Sequence, residues 1–163
     1  MENLIPKIKT REASMTVKAE LIGIARKARS RAPMETLDRI EITTELGLDG
    51  DFRGKLRRRQ VTILAEEGWQ AACNAIDRGD LDWTTRRANL YVRGVDLPRT
   101  KGSKLTIGNV VFEITGETDP CNRMDDAAPG LKEAMTPDWR GGVTCRVIEG
   151  GSVALGDVIA LVS

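Results

Sequence analysis

Residues 110–123 read VVFEITGETDPCNR, and the fold hangs on how this stretch is read. The apolar residues Val110, Phe112 and Ile114 fall at every second position, the period of a half-buried strand. Thr115 and Gly116 break that alternation, and a short polar loop then delivers Cys121 between Pro120 and Asn122. A thiol on a proline-stiffened loop directly after a core strand is placed for chemistry, provided positive charge lies close enough to favour the thiolate. An inert thiol at a strand end is the alternative reading of the same pattern.

The other two cysteines have different settings. In AEEGWQAACNAI, Trp69, Ala72, Cys73 and Ile76 fall at i, i+3, i+4 and i+7, one face of an amphipathic helix, so Cys73 reads as a small core residue. In VTCRVI, Cys145 is in period-two register with Val143 and Val147 and should point into a core.

Outward from Val110, the chain is built of short strands and glycine turns. Residues 1–15 have little periodicity and read as a flexible arm, with residues 16–163 forming one domain. VKAELIGIA, from Val17, is a first strand with Leu21 and Gly23 on one side, and ARKARSRAP is a basic, solvent-exposed connection. Strand character resumes at Ile40 and Ile42, and GLDGDFRG is dense in turn formers. Between Arg53 and Arg59 five basic residues occur with no acidic one. That run is either a solvated loop or a source of charge aimed at a cavity, because Arg59 stands at the entry to the buried strand QVTIL. A helix over Ala65–Asp77 follows, then the short strand carrying Leu90 and Val92. KLTIGNVVFEI is a hairpin pivoting on Gly108-Asn109. The C-terminal segment from Val143 is read as hairpins pivoting on Gly150-Gly151 and Gly156-Asp157. PGLKEAM reads as a short helix. One clear helix among many short strands predicts a mainly antiparallel sheet closed as a barrel.

Composition narrows the function classes. The chain has 163 residues, 25 basic and 24 acidic, so a formal charge of +1 points to neither nucleic acid nor an acidic membrane. No apolar run approaches the ~20 residues of a membrane span, and no secretory signal is evident, so a cytoplasmic location is expected. Three widely spaced cysteines do not form a disulfide framework. With no histidine, His-based triads and Cys/His zinc sites are excluded. Few aromatic residues interleave the basic ones, which argues against a nucleic-acid module.

Four polar elements flank predicted strands: Arg59, Arg87-x-Asn89, Cys121-Asn122-Arg123 and Arg140-Gly141-Gly142. If barrel closure gathers them, the product is a cationic pocket around a thiol, suited to an anionic cofactor.

Five blocks in this order resemble the MOSC domain: GLDGDFRG, RRQVTILAEE, RRANLYVRGVDL, KGSKLTIGNVVFEITGETDPCNRMD and RGGVTCRVIEGGSVALGDVI. The resemblance spans about Val17 to Val162. It implies a distorted, mostly antiparallel β-barrel with a few short helices that binds molybdenum cofactor. It places the family's cysteine on Cys121, as persulfide carrier or molybdenum ligand. It implies phosphate contacts from Arg59, Arg87 and Arg140, supported by Asn89, with Asn122, Arg123, Gly141 and Gly142 near the cofactor. Relatives either transfer sulfur or reduce N-hydroxylated compounds. The expected partner is therefore a sulfur donor or acceptor protein, or an electron donor. GDFRGK lacks the histidine many relatives carry there, which argues against a proton shuttle at that position. No pyridoxal phosphate domain, and hence no intrinsic desulfurase activity, is expected in this chain. A non-enzymatic basic interaction module is the remaining alternative.

Overall fold

The structure is a computed structural model that describes residues 18–55 and 57–162. The arm assigned to residues 1–15 lies outside them. The chain opens with β1 (Glu20–Arg26), β2 (Glu35–Thr36), β3 (Arg39–Thr43) and β4 (Gly47–Leu48). Two 3-10 turns, Phe52–Lys55 and Arg57–Arg59, carry the basic run into β5 (Val61–Ala65). Helix α1 (Glu66–Ala75) leads to β6 (Leu90–Arg93), β7 (Lys104–Ile107) and β8 (Val110–Glu117). Two short helices, α2 (Asn122–Ala127) and α3 (Leu131–Ala134), precede β9 (Val143–Glu149), β10 (Gly151–Ala154) and β11 (Ile159–Val162).

The main sheet has eight strands in the order β11-β7-β8-β9-β5-β6-β1-β2. Every pair is antiparallel except β5 and β6, which are joined through α1, the kind of crossover a parallel pair requires. The sheet curls until the segment entering β11 meets β1. Glu20 bridges Val158, Leu21 N–H donates to the Asp157 carbonyl at 3.0 Å, and Ile159 N–H donates to that of Ala19 at 3.1 Å. The result is a distorted barrel with an irregular seam, as the short alternating segments predict. A three-stranded sheet, β10-β3-β4, packs beside it.

One apolar cluster fills the barrel, with Phe112, Ile114, Ile63, Leu90, Val92 and Cys145 at its centre. A second, built on Leu64, Trp69, Cys73, Tyr91, Met124 and Leu131, lies between the sheet and the helices. β5 is therefore covered on both sides, which its unbroken run VTIL reflects. Trp69, Ala72 and Cys73 share the buried face of α1, as their spacing predicts.

Three expectations need correction. The register of β1 shifts between Leu21 and Gly23, so Ile24 and not Gly23 follows Leu21 into the barrel. Gly23 instead faces Trp83, where a Cβ would lie 2.6 Å from the indole. The C-terminal segment does not form hairpins: β9 pairs with β8 and β5, β10 crosses to β3, and β11 crosses to β7. Gly150 packs so closely on Ile42, its Cβ position 2.6 Å from the Ile42 carbonyl, that the turn redirects the chain to β3. Finally, the connection after β1 is only partly solvated, because Lys27 is buried.

Candidate functional site

The start of β6, the start of β9 and the end of β8 meet around β5, all four strands being consecutive in the sheet. Between them lies a cavity of about 300 Å³. Its walls carry Arg53, Arg59, Arg86 and Arg87, with Thr62, Thr118, Asp119, Cys121 and Gly141. Four guanidinium groups face one carboxylate and one thiol.

Arg86 holds the site together. It is nearly buried, its Nε donating to the Gly141 carbonyl at 3.1 Å and its Nη2 to the Thr118 carbonyl at 2.9 Å, with a longer contact of 3.4 Å to that of Asp119. It therefore ties the end of β8 to the approach to β9. Burial pushes its pKa down to about 10, Cys121 acts in the opposite direction, and Arg53 and Arg59 add to the fall. Arg87 sits at φ 66, a left-handed turn that sends its side chain away from that of Arg86. Its Nη2 donates to the Ala32 carbonyl, and its own carbonyl accepts from Arg53 Nη1 at 3.3 Å.

Behind these groups lies Lys27, 4% exposed, with its ammonium 5.9 Å from the centre of the Phe52 ring. Burial, followed by the charges of Arg53, Arg87 and Arg123, lowers its pKa to about 8, and Asp51 opposes the shift. Asp51 also orders the turn by accepting from Lys27 N at 3.0 Å and Arg53 N at 3.1 Å. Burial likewise lowers the pKa of Arg53.

Of the residues picked from sequence, Arg59, Arg87, Cys121 and Gly141 reach the cavity. Asn89 does not line it. Its Oδ1 accepts from Thr62 N at 3.0 Å and from Thr62 Oγ1 at 3.2 Å, while Nδ2 donates to the Ala25 carbonyl at 3.2 Å, bracing β5 and β1. Asn122 turns to α3, accepting from Lys132 Nζ at 2.8 Å. Arg123 is exposed outside the wall and contributes only its charge. Arg140 points away: its Nη1 donates to the Ala134 carbonyl at 3.0 Å, and it lines a separate hollow with Trp139 and Gly68. Gly142 serves the backbone, since at φ +95 a Cβ would lie 2.3 Å from the Ile63 carbonyl. Arg53, Arg86, Lys27, Thr118 and Asp119 complete the site without having been singled out for it.

The donor set fits an anion with a soft centre. Thr118 Oγ1 and Arg87 Nε are buried polar atoms with no partner among the described residues, and both residues line the cavity. Among the described residues no group of three or more Cys, Asp or Glu could hold a bare metal ion. A metal here would arrive on a ligand of its own, with Cys121 as the thiolate facing it.

Cys121 is exposed, whereas Cys73 and Cys145 are buried and burial pushes both of their thiols up. Iodoacetamide should therefore alkylate Cys121 at least about tenfold faster than either. Mass mapping over time checks this, and equal rates at the three thiols would refute it.

The fold and site define a small β-barrel protein with an arginine-lined cavity opening on a thiol. Residues 48–160 match the MOSC domain, and the chain belongs to that family, which is associated with molybdenum cofactor. Solved structures show the same fold. The YuaD protein from Bacillus subtilis superposes with a TM-score of 0.73 at 20% identity, over 89% of this chain and 96% of its own. YiiM from Escherichia coli gives 0.66 at 18% identity, over 88% and 70%. YiiM from Geobacillus stearothermophilus gives 0.63 at 14% identity, over 91% and 75%. Curated protein sequences yield no match. Among the described residues no helix is long and apolar enough to cross a membrane.

Proposed function

We propose that this protein binds molybdenum cofactor, with the phosphate held by Arg53, Arg59, Arg86 and Arg87 and with Cys121 facing the metal. The observation that carries this reading is the meeting of four guanidinium groups and one thiol in a single cavity. Guanidinium groups grip phosphate through paired, charge-assisted hydrogen bonds, and a thiolate is the soft ligand that molybdenum favours. When bound, the cofactor supplies oxygen-atom and two-electron chemistry. Arg86 keeps the cavity mouth in shape, and Thr118 offers a hydroxyl with no other partner among the described residues.

Two uses of Cys121 follow. As a carrier, its thiolate attacks the outer sulfur of a donor persulfide, forming a Cys121 persulfide and releasing the donor thiolate. A second protein then receives that sulfur. As a ligand, Cys121 fixes the cofactor for reduction of N-hydroxylated compounds, with electrons from a separate donor protein. A reducing cytoplasm suits either use. Convergence of the guanidinium groups on a cavity favours both over a basic interaction module, whose charges would spread over an open face.

The test is the composition of protein purified from a host that makes the cofactor. Wild type should carry pterin and molybdenum together. Arg59→Ala should weaken retention about 10-fold or more, the loss of one charge-assisted contact. Cys121→Ser should keep pterin but lose one sulfur from the molybdenum coordination seen by X-ray absorption. Wild-type protein with no pterin, metal or persulfide would remove the basis of the proposal.

A further inference from the structure

Cys121, Asp119 and Arg59 separate the cofactor cavity from a second, outer hollow of about 470 Å³ that runs along the end of β8. Along that strand Arg58 and Lys101 line it with Thr115, and Glu117 and Asp119 line it with Cys121, while Arg59 is shared with the inner cavity.

The backbone fixes this order. Thr115 Oγ1 donates to the Arg58 carbonyl. The turn carrying Lys101 is bound to Ile114, whose carbonyl accepts from Gly102 N at 2.8 Å and whose N–H donates to the Ser103 carbonyl at 2.9 Å. Thr115 lies at an irregularity in the pairing of β8 with β9, between Ile114 and Gly116, and Glu117 follows it where regular pairing resumes.

Glu113, which also feels Arg58, is held by Arg146 across the β8–β9 pair. Among the described residues Arg58 and Lys101 have no carboxylate partner. At the other end, burial and then the neighbouring Asp119 charge raise the pKa of Glu117. A head group that donates N–H bonds between those two carboxyl groups would relieve their repulsion.

We propose that the outer hollow is the substrate side of Cys121. It takes a small molecule with an anionic tail on Arg58 and Lys101 and a nitrogen-bearing, N–H-donating head against Glu117 and Asp119. The catalytic meaning of this site rests on the role given to Cys121 above, but binding in the hollow does not. An N-hydroxylated acid fits the order of charges, presenting its nitrogen next to the thiol.

Calorimetric titration of the full chain, as purified, with 4-(hydroxyamino)benzoate and with N-phenylhydroxylamine tests the proposal. The acid should bind about tenfold more tightly than the neutral compound, as two exposed cations acting together would give. Arg58→Gln with Lys101→Gln should bring the acid down to the level of the neutral compound and leave pterin content unchanged. Glu117→Gln with Asp119→Asn should weaken both compounds alike. Thermal unfolding of each variant establishes that it is folded. Equal affinity of wild type for the two compounds, or a preference that survives in the Arg58/Lys101 variant, would overturn the proposal. A chain that prefers the acid but carries no pterin, molybdenum or persulfide would sink the cofactor reading and leave the hollow standing.

Discussion

Arg86→Met is expected to destabilise the protein by about 2–4 kcal/mol and to open the cavity it borders. The methionine replaces the aliphatic stem of Arg86 but none of its donors. The carbonyls of Gly141 and Thr118, bonded at 3.1 and 2.9 Å, would be left without partners in a buried place. A hydrogen bond to a charged group is typically worth about 1.5–3 kcal/mol, and a buried polar atom left unpaired costs about 1–3 kcal/mol. The opposing effect is relief of a buried charge, since Arg86 is held charged against burial and against Arg53 and Arg59. That relief keeps the net change below the sum of the lost bonds. In a domain of this size the shift corresponds to roughly 5–15 °C in melting temperature. Arg86→Lys should recover little, because one ammonium cannot span carbonyls on both sides of the gap. Urea unfolding measures the change, and a loss under about 1 kcal/mol would show that Arg86 is not the tie described above.

The parts of this site that sequence reveals are those decided by local periodicity. Cys73 and Cys145 each occupy a position in an apolar repeat, so their burial, and the separate status of Cys121, can be read directly. β5, β8 and α1 are legible for the same reason. What periodicity leaves open is long-range pairing and the direction of a side chain at a turn. Arg86 and Arg87 are adjacent and chemically alike. Their partners set them apart: Arg86 reaches three carbonyls near the ends of β8 and β9, while Arg87, at a left-handed backbone position, reaches that of Ala32. Arg140 stands before two glycines, the setting of an anion-binding turn, yet its side chain reaches the end of α3. Asn89 invites a ligand role, and its amide is consumed in bracing strands that are 27 and 64 residues away in sequence. Lys27 is hidden because the turn around Gly50 and Asp51 closes over it, a contact between segments 24 residues apart. The pocket was thus foreseeable as a class, a thiol among guanidinium groups, while half of its wall depended on tertiary geometry.

Lys27→Met should have two opposite effects, stabilising the ligand-free protein while weakening its hold on phosphate. Lys27 is buried with Arg53, Arg87 and Arg123 around it and Asp51 opposing them, and its pKa falls from 10.5 to about 8. A lysine whose pKa is lower in the folded state binds fewer protons there than in the unfolded chain. Below pH 8 the native protein therefore carries the full penalty, on the order of 3 kcal/mol. As pH rises from about 8 to 10.5 the penalty is relieved, so the wild-type protein gains stability across that window. Methionine removes the penalty at every pH. Its advantage should be largest near neutrality, approaching that same magnitude, and should vanish above about pH 10.5. A bound phosphate reverses the balance by supplying the missing negative charge. With phenyl phosphate, which stays a dianion from about pH 7.5 to 9.5, wild-type affinity should fall by up to tenfold per pH unit above about 8. The Lys27→Met protein should bind up to about tenfold more weakly near neutrality, the effect of losing one charge behind the cavity wall, with no such decline. Urea unfolding and phosphate titration at matched pH values measure both effects. A destabilised Lys27→Met protein, together with a wild-type affinity that is flat across pH 8, would show that Lys27 sits among these cations for packing alone.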